Sequence, residues 1–156
     1  MMNGSFFMDK TTIHLPLRLI AINPGGYHLM TQAAINGRKA NVLLDTGASK
    51  SIMDLNRVKE YAKDPDIRPY EKAMTGMGAD KINPFITTLS VVTFERARID
   101  NLEVVLLDLG FINDFYASLD LPPIDMIAGG DLLFRMGVAI DYSRKLIRIR
   151  SDLPNT

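Results

Sequence analysis

The sequence predicts one all-β domain carrying two short helices, and three observations lead there. Two strand-forming runs, 27–35 (YHLMTQAAI) and 39–44 (KANVLL), flank Asn36–Gly37. That dipeptide favours a two-residue hairpin turn because both positions tolerate positive φ. Residues 85–94 (FITTLSVVTF) and 102–107 (LEVVLL) are β-branched and aliphatic, as strands prefer. Finally, 138–142 and 145–150 (KLIRIR) read as a closing hairpin, with Asp141, Tyr142, Ser143 and Arg144 at or near its turn.

The remaining elements follow in chain order. Residues 13–22 (IHLPLRLIAI) alternate imperfectly and read as one strand, which Pro16 pushes toward a sheet edge. Asn23, Pro24, Gly25 and Gly26 then mark a turn. After 44, a helix capped by Asp54 is expected, with Leu55, Val58 and Ala62 at helical spacing and Asp64–Pro65 as its stop. The stretch 66–82 is rich in turn formers, with Gly76 and Gly78 around Met77. Residues 110–125 read as a looser region ending in Pro122–Pro123. Residues 131–136 suit one or two helical turns stopped by Gly137. No internal repeat or interdomain linker is visible, so 13–150 is expected to form one domain between tails at 1–12 and 151–156.

Composition narrows the function. With 18 basic and 18 acidic residues in 156 the chain is formally neutral, which argues against a nucleic-acid binder that neutralises phosphates over a broad face. At 47% hydrophobic and 23% charged it does not resemble a disordered chain. The absence of cysteine excludes disulfides and thiolate metal sites. The longest clean apolar run, 104–107, falls far short of the ~20 residues a spanning helix needs, so no membrane role is expected. The start, MMNGSFFMDKTT, lacks a basic segment followed by a long apolar core, so a cytoplasmic location is the default and Asn3–Gly4–Ser5 reads as a chance sequon.

One segment carries chemistry. The apolar run Val42, Leu43, Leu44 leads straight into Asp45, Thr46, Gly47, Ala48 and Ser49. A carboxylate at the end of a buried strand is expected to be partly desolvated, which favours its protonated form. Thr46 supplies a hydroxyl that can brace the loop, and Gly47 lets the backbone approach a partner or ligand closely. The bare tripeptide also suits a strand-end turn in which Asp and Thr bond their own backbone.

In context the segment resembles the catalytic loop of the retropepsin-like aspartic proteases. The run Ile127, Ala128, Gly129, Gly130, Asp131, Leu132, Leu133 looks like that family's second signature, and 136–142 continues the match. Gly76, Met77 and Gly78 stand about where the family carries its Gly-rich flap. The resemblance covers roughly 27–150, is closest in look to bacterial members, and implies the retropepsin-like fold, a closed barrel-like half with two short helices. It departs from many viral members at Ser49 and Gly130, where those carry an Asp and an Arg that pair. Losing both partners together points to a different brace. Ala128 is also smaller than the usual Ile or Val.

The implied activity is peptide-bond hydrolysis by two carboxylates that share one proton and hold one water, with no metal or cofactor. The chain offers one Asp-Thr-Gly; the nearest look-alike, Leu107–Asp108–Leu109–Gly110, lacks the hydroxyl residue. One catalytic residue per chain, Asp45, implies a homodimer acting on a peptide or protein, with the terminal strands 13–22 and 138–150 as candidates for dimer pairing. Ala48, unlike Ser or Thr, cannot donate a hydrogen bond to the carboxylate, which points to activity toward mild acid or neutrality. The alternative is an inactive dimer of the same fold that binds peptides by strand addition or serves as a scaffold. A phosphatase whose catalytic loop needs a second Asp two residues on is disfavoured by Gly47. His14 and His28 suit partly buried strand positions better than a metal site, and Arg144, Lys145, Arg148 and Arg150 suit a solvated strand face.

Overall fold

A computed structural model of the chain describes residues 12–70 and 84–150. In order, the elements are β1 (Thr12–Pro16), β2 (Arg18–Asn23), β3 (Gly26–Ile35), β4 (Arg38–Leu44), β5 (Ile52–Asp54), α1 (Val58–Tyr61) and β6 (Arg68–Pro69). There follow β7 (Phe85–Phe94), β8 (Ala97–Leu107), α2 (Gly110–Ser118), β9 (Met126–Ala128), α3 (Gly130–Arg135), β10 (Ala139–Asp141) and β11 (Leu146–Arg150). The tails at 1–11 and 151–156 and the flap residues Gly76, Met77 and Gly78 lie outside the described residues.

Hydrogen-bonded neighbours run β3-β4-β9-β5-β8-β7, and β7 pairs back onto β3 through Ala34↔Thr93 and Ile35↔Val92. This closes a six-stranded barrel, with β2 and β6 as outer additions. The three-stranded sheet β1-β11-β10 packs over it. The expected hairpin is present: Asn36 and Gly37 both take positive φ between β3 and β4.

The strands around the site are buried on both faces. Val42, Leu44, Val104, Leu106, Met126 and Ala128 belong to the core inside the barrel. Their alternating neighbours Leu43, Val105 and Ile127 belong to a second cluster outside it, with Met30, Ile52, Tyr116 and Ile124. Two-sided burial is why these segments read as unbroken apolar runs.

Several sequence expectations need correction. Residues 13–22 form two strands, not one. Pro16 has no N–H to continue a ladder, and the chain steps at buried Leu17 from the small sheet, where β1 pairs β11, to the barrel, where β2 pairs β3. The N-terminal strand therefore pairs within its own chain. The described residues hold three helices rather than two, because 110–118 is α2. Phe111 and Phe115 are exposed while Tyr116 is buried and Ile112 half-buried, so apolar residues occur on both faces and blur the helical period. Asp54 is not a helix cap. It closes the strand β5, and α1, a single turn, starts after Arg57 without a side-chain cap.

A polar network ties the helices to the barrel. Asp54, 2% exposed, accepts N–H groups of Asn56 (3.1 Å) and Leu109 (3.2 Å) on Oδ1 and of the Asn113 side chain (3.0 Å) on Oδ2. Asn113 also accepts the Ile124 N–H at 2.7 Å, pinning α2 to the start of β9. Asp125, equally buried, accepts the Asn41 N–H (2.7 Å) and Arg57 Nε (2.6 Å). Tyr61 donates its hydroxyl to the Lys39 carbonyl. Burial, with the Asp125 carboxylate adding to it, pushes the Tyr61 phenol up to about 12 from an ordinary 10.0. Since the folded state holds this proton more tightly, the stabilisation is present below pH ~10 and is lost as pH rises through ~12. Urea-unfolding midpoints of the wild type should therefore fall between pH 10 and 12 more steeply than those of Tyr61→Phe, which has no phenol to ionise.

Candidate active site

The site begins where β4 leaves the barrel. Leu44 is buried, and the next residue, Asp45, donates its N–H to the Ala128 carbonyl at 3.0 Å, so the end of β9 holds the base of the loop. Asp45 Oδ1 accepts the Gly47 N–H at 2.8 Å, and Ala48 N–H donates to the Asp45 carbonyl at 3.3 Å. The tight turn presents the other carboxylate oxygen, Oδ2, with no partner among the described residues.

The second signature meets this loop directly. Gly130 N–H donates to the Ala48 carbonyl (2.7 Å) and Asp131 N–H to the Ser49 carbonyl (3.2 Å). Ser51, fully buried, donates its hydroxyl to Asp131 Oδ1 (2.8 Å) and accepts the Gly129 N–H (3.1 Å). Asp131 Oδ1 also accepts the Leu132 N–H at 2.8 Å, in the first turn of α3. This Ser51–Asp131–Gly129 lock is the brace that stands where Ser49 and Gly130 offer no ion pair. Sequence reasoning missed Ser51; its only signal was a small hydroxyl residue placed just before an apolar strand. Gly129 is sterically required, because a Cβ there would lie 2.5 Å from the Lys50 backbone and 2.9 Å from the Ala48 carbonyl. Ile127 is buried in the outer cluster beneath the loop.

Two expectations fail in the single chain. Asp45 is exposed rather than partly desolvated, because strand burial ends at Leu44 and the loop projects beyond it. Thr46 is exposed and braces nothing among the described residues; backbone groups and Ser51 do that work. Ala48 is half-buried and contributes its carbonyl. His14 is exposed, whereas His28 is a half-buried strand histidine, hydrogen-bonded to Tyr116.

The look-alike at Asp108 repeats the turn. Its Oδ1 accepts the Gly110 N–H at 2.7 Å, as Asp45 does for Gly47. Both turns follow a strand with a parallel neighbour, β4 beside β9 and β8 beside β5. Asp108 differs in taking a second bond, from Asn56 Nδ2, and in being followed by buried Leu109.

Asp45 and Thr46 line an open cleft of about 490 Å³ with Tyr27, His28, Leu43 and Tyr142. Thr46 and Ile140 also border a groove of about 600 Å³ lined by Leu133, Phe134, Arg135 and Val138. Among the described residues no cluster of three or more His, Asp or Glu could hold a metal ion, and no helix is long and apolar enough to cross a membrane.

The sequence model of a family described as aspartyl protease matches residues 31–132, well over half the chain and spanning both halves of the locked loop. The chain belongs to the aspartyl protease family. The fold of this aspartyl protease family member is similar to that of a retropepsin-like aspartic protease from Rickettsia conorii, with a TM-score of 0.53 and 17% identity over 89% of this chain and 90% of that one. It is also similar to the retroviral protease-like domain of Ddi1 from Leishmania major, with a TM-score of 0.51 and 19% identity over 83% of this chain and 90% of that one. The retropepsin-like fold expected from the two signatures is thus borne out. No curated protein matches the sequence.

The two adjacent glycines, Gly129 and Gly130, should differ sharply on substitution. Gly129→Ala forces backbone apart and should cost about 3 kcal/mol or prevent folding. At Gly130 an added Cβ would meet nothing closer than 3.5 Å, so Gly130→Ala should cost less than about 1 kcal/mol. Thermal unfolding of the two variants checks the contrast.

Proposed function

We propose that the chain is an aspartic endopeptidase that works as a homodimer, Asp45 of each copy contributing one carboxylate. What carries this reading is an acid held by a locked backbone yet left exposed, with one carboxylate oxygen uncommitted among the described residues. Two carboxylates brought into contact cannot both ionise, so they share a proton and titrate as a pair. One takes a proton from the bound water as it attacks the peptide carbonyl; the other donates a hydrogen bond to that carbonyl oxygen. The backbone groups of Gly47 and Ala48 hold the loop's shape, leaving the exposed Thr46 beside Asp45 free to face the partner copy. The second signature (Ile127, Gly129, Gly130, Asp131) holds the loop in place, and the flap's role is assigned to Gly76, Met77 and Gly78 by the sequence resemblance alone.

The surroundings of Asp45 support a partner copy. Among the described residues no strand lies beside the edge of β10 that is not paired with β11, and its Ile140 lines both the cleft with Asp45 and the apolar groove with Phe134. Exposed strand edges and uncovered apolar surface are where a second chain docks. By contrast β1, the other terminal candidate, is far along the same sheet with β11 between.

The test is digestion of a peptide library by wild type and Asp45→Asn, with sedimentation to measure association. Asp45→Asn should lose cleavage by ~10²–10⁴-fold while still sedimenting as a dimer. Ile140→Asp should sediment as a monomer and lose cleavage as well. With no hydroxyl at Ala48 to donate to the pair, activity should peak above pH 4. A wild type that binds peptide without cutting it is the scaffolding dimer; a strictly monomeric wild type overturns the reading.

A further inference from the structure

The cleft beside Asp45 contains one side chain held by a partner that lies outside the cleft. His28, on β3, lines the cleft, and its Nδ1 lies 2.7 Å from the hydroxyl of Tyr116 on α2. The two rings lie nearly parallel, 22° apart in plane, with centroids 5.8 Å apart. Tyr116 is 1% exposed, and His28 is the only hydrogen-bond partner of its hydroxyl among the described residues.

That bond decides where the ring's proton sits. A neutral imidazole donates from one nitrogen and accepts at the other. Were Nδ1 the donor, the buried Tyr116 proton would be left without an acceptor, a costly arrangement. Burial also raises the phenol's pKa, so its proton is retained through the neutral range. Tyr116 therefore donates to Nδ1 and the ring proton sits on Nε2. An imidazolium would carry a proton there too, so Nε2 is a donor in both charge states. Nε2 has no partner among the described residues. The other cleft-lining polar groups are the Tyr27 and Tyr142 phenols, the Thr46 hydroxyl and Asp45 itself; Leu29, Leu43 and Leu44 are apolar. Among the described residues His28 is thus the cleft's one side-chain nitrogen donor, and its direction is fixed from behind.

We propose that His28 is a specificity-determining residue that offers Nε2–H to an oxygen acceptor on a side chain of the bound peptide, with Tyr116 as its positioning residue. This rests on the reading that the cleft beside Asp45 holds a peptide. Glu and Gln carry the chemistry it selects, a side-chain oxygen at the end of a two-methylene stem. Norleucine has a similar length and no acceptor.

A peptide found in the library digestion is resynthesised with Glu, Gln or norleucine at each position flanking the cut. In the wild type, kcat/KM at one position should favour Glu and Gln over norleucine by about three- to tenfold, the range of one net hydrogen bond. The ratio should fall to near one in His28→Leu and be partly restored in His28→Gln, whose amide N–H can also donate. Tyr116→Phe should lower the ratio while His28 itself is retained. A His28→Leu ratio equal to wild type overturns the inference, and so does a wild type indifferent to the acceptor at every position. If the wild type cuts nothing, a peptide that Asp45→Asn retains from the same library is resynthesised with the same replacements, and its affinities give the ratios. A preference that persists there supports the role of His28 although the protease reading has failed. Absence of both cleavage and binding overturns the two together. Melting temperatures of each variant separate a lost donor from a lost fold.

Discussion

Three residues, Met126–Ala128, sit between β4 and β5, parallel to the first and antiparallel to the second. The site depends on this insertion. β4 and β5 are consecutive strands in sequence, yet β9 lies between them and closes the barrel there. The loop joining β4 to β5 must then pass over the end of β9, where the Ala128 carbonyl takes the Asp45 N–H and the Ser51 hydroxyl takes the Gly129 N–H. Met126 and Ala128 face the barrel interior while Ile127 faces the outer cluster, so β9 is anchored by apolar burial on both sides. A strand that short has too few ladder bonds to hold itself, which is why the lock at its end matters.

The carboxylates of the molecule divide by how fully they are satisfied. Asp54 and Asp125 are buried and spend their oxygens on N–H groups and, for Asp125, on Arg57. Asp131 is bonded to Ser51 and Leu132. These acids fix β5, α2, β9 and α3 relative to one another, since a buried charge is tolerated only with partners. Asp45 is held by its backbone and one oxygen, which leaves it rigid in position and open in chemistry. Rigidity supplied by surrounding groups, with the reactive atom kept free, is what positioned catalysis requires.

The legible parts of the fold were those written locally. Asn36–Gly37 could be read because a two-residue turn needs positive φ twice, and both signatures could be read because their residues are contiguous. The missed parts depend on distant partners. Ile52–Asp54 looked like the approach to a helix because nothing nearby says that β8 and β9 flank it. Helix α2 hides its period because it is apolar on both faces, with Phe111 outward at 92% exposure and Tyr116 inward. The break at Leu17 was hinted at by Pro16, but which sheet takes each half is decided by β11 and β3. At the site, Asp45 and the second signature were readable, while Ser51 and Tyr116 were not, because each acts on a residue far along the chain.

The repeated turn at Asp108 has a consequence for stoichiometry. Within one barrel, two Asp-x-Gly turns occupy comparable places, each at the end of a strand with a parallel neighbour. The residue after the acid sets them apart: Leu109 is 8% exposed and tucks into the outer cluster under α2, whereas Thr46 faces outward. The Asp108 turn is built into the wall of the barrel, and the Asp45 turn is left as a doorway. A polypeptide with an odd number of doorways cannot complete a paired chamber by itself, however it is folded. On the homodimer reading, symmetry between chains supplies the evenness that one chain lacks.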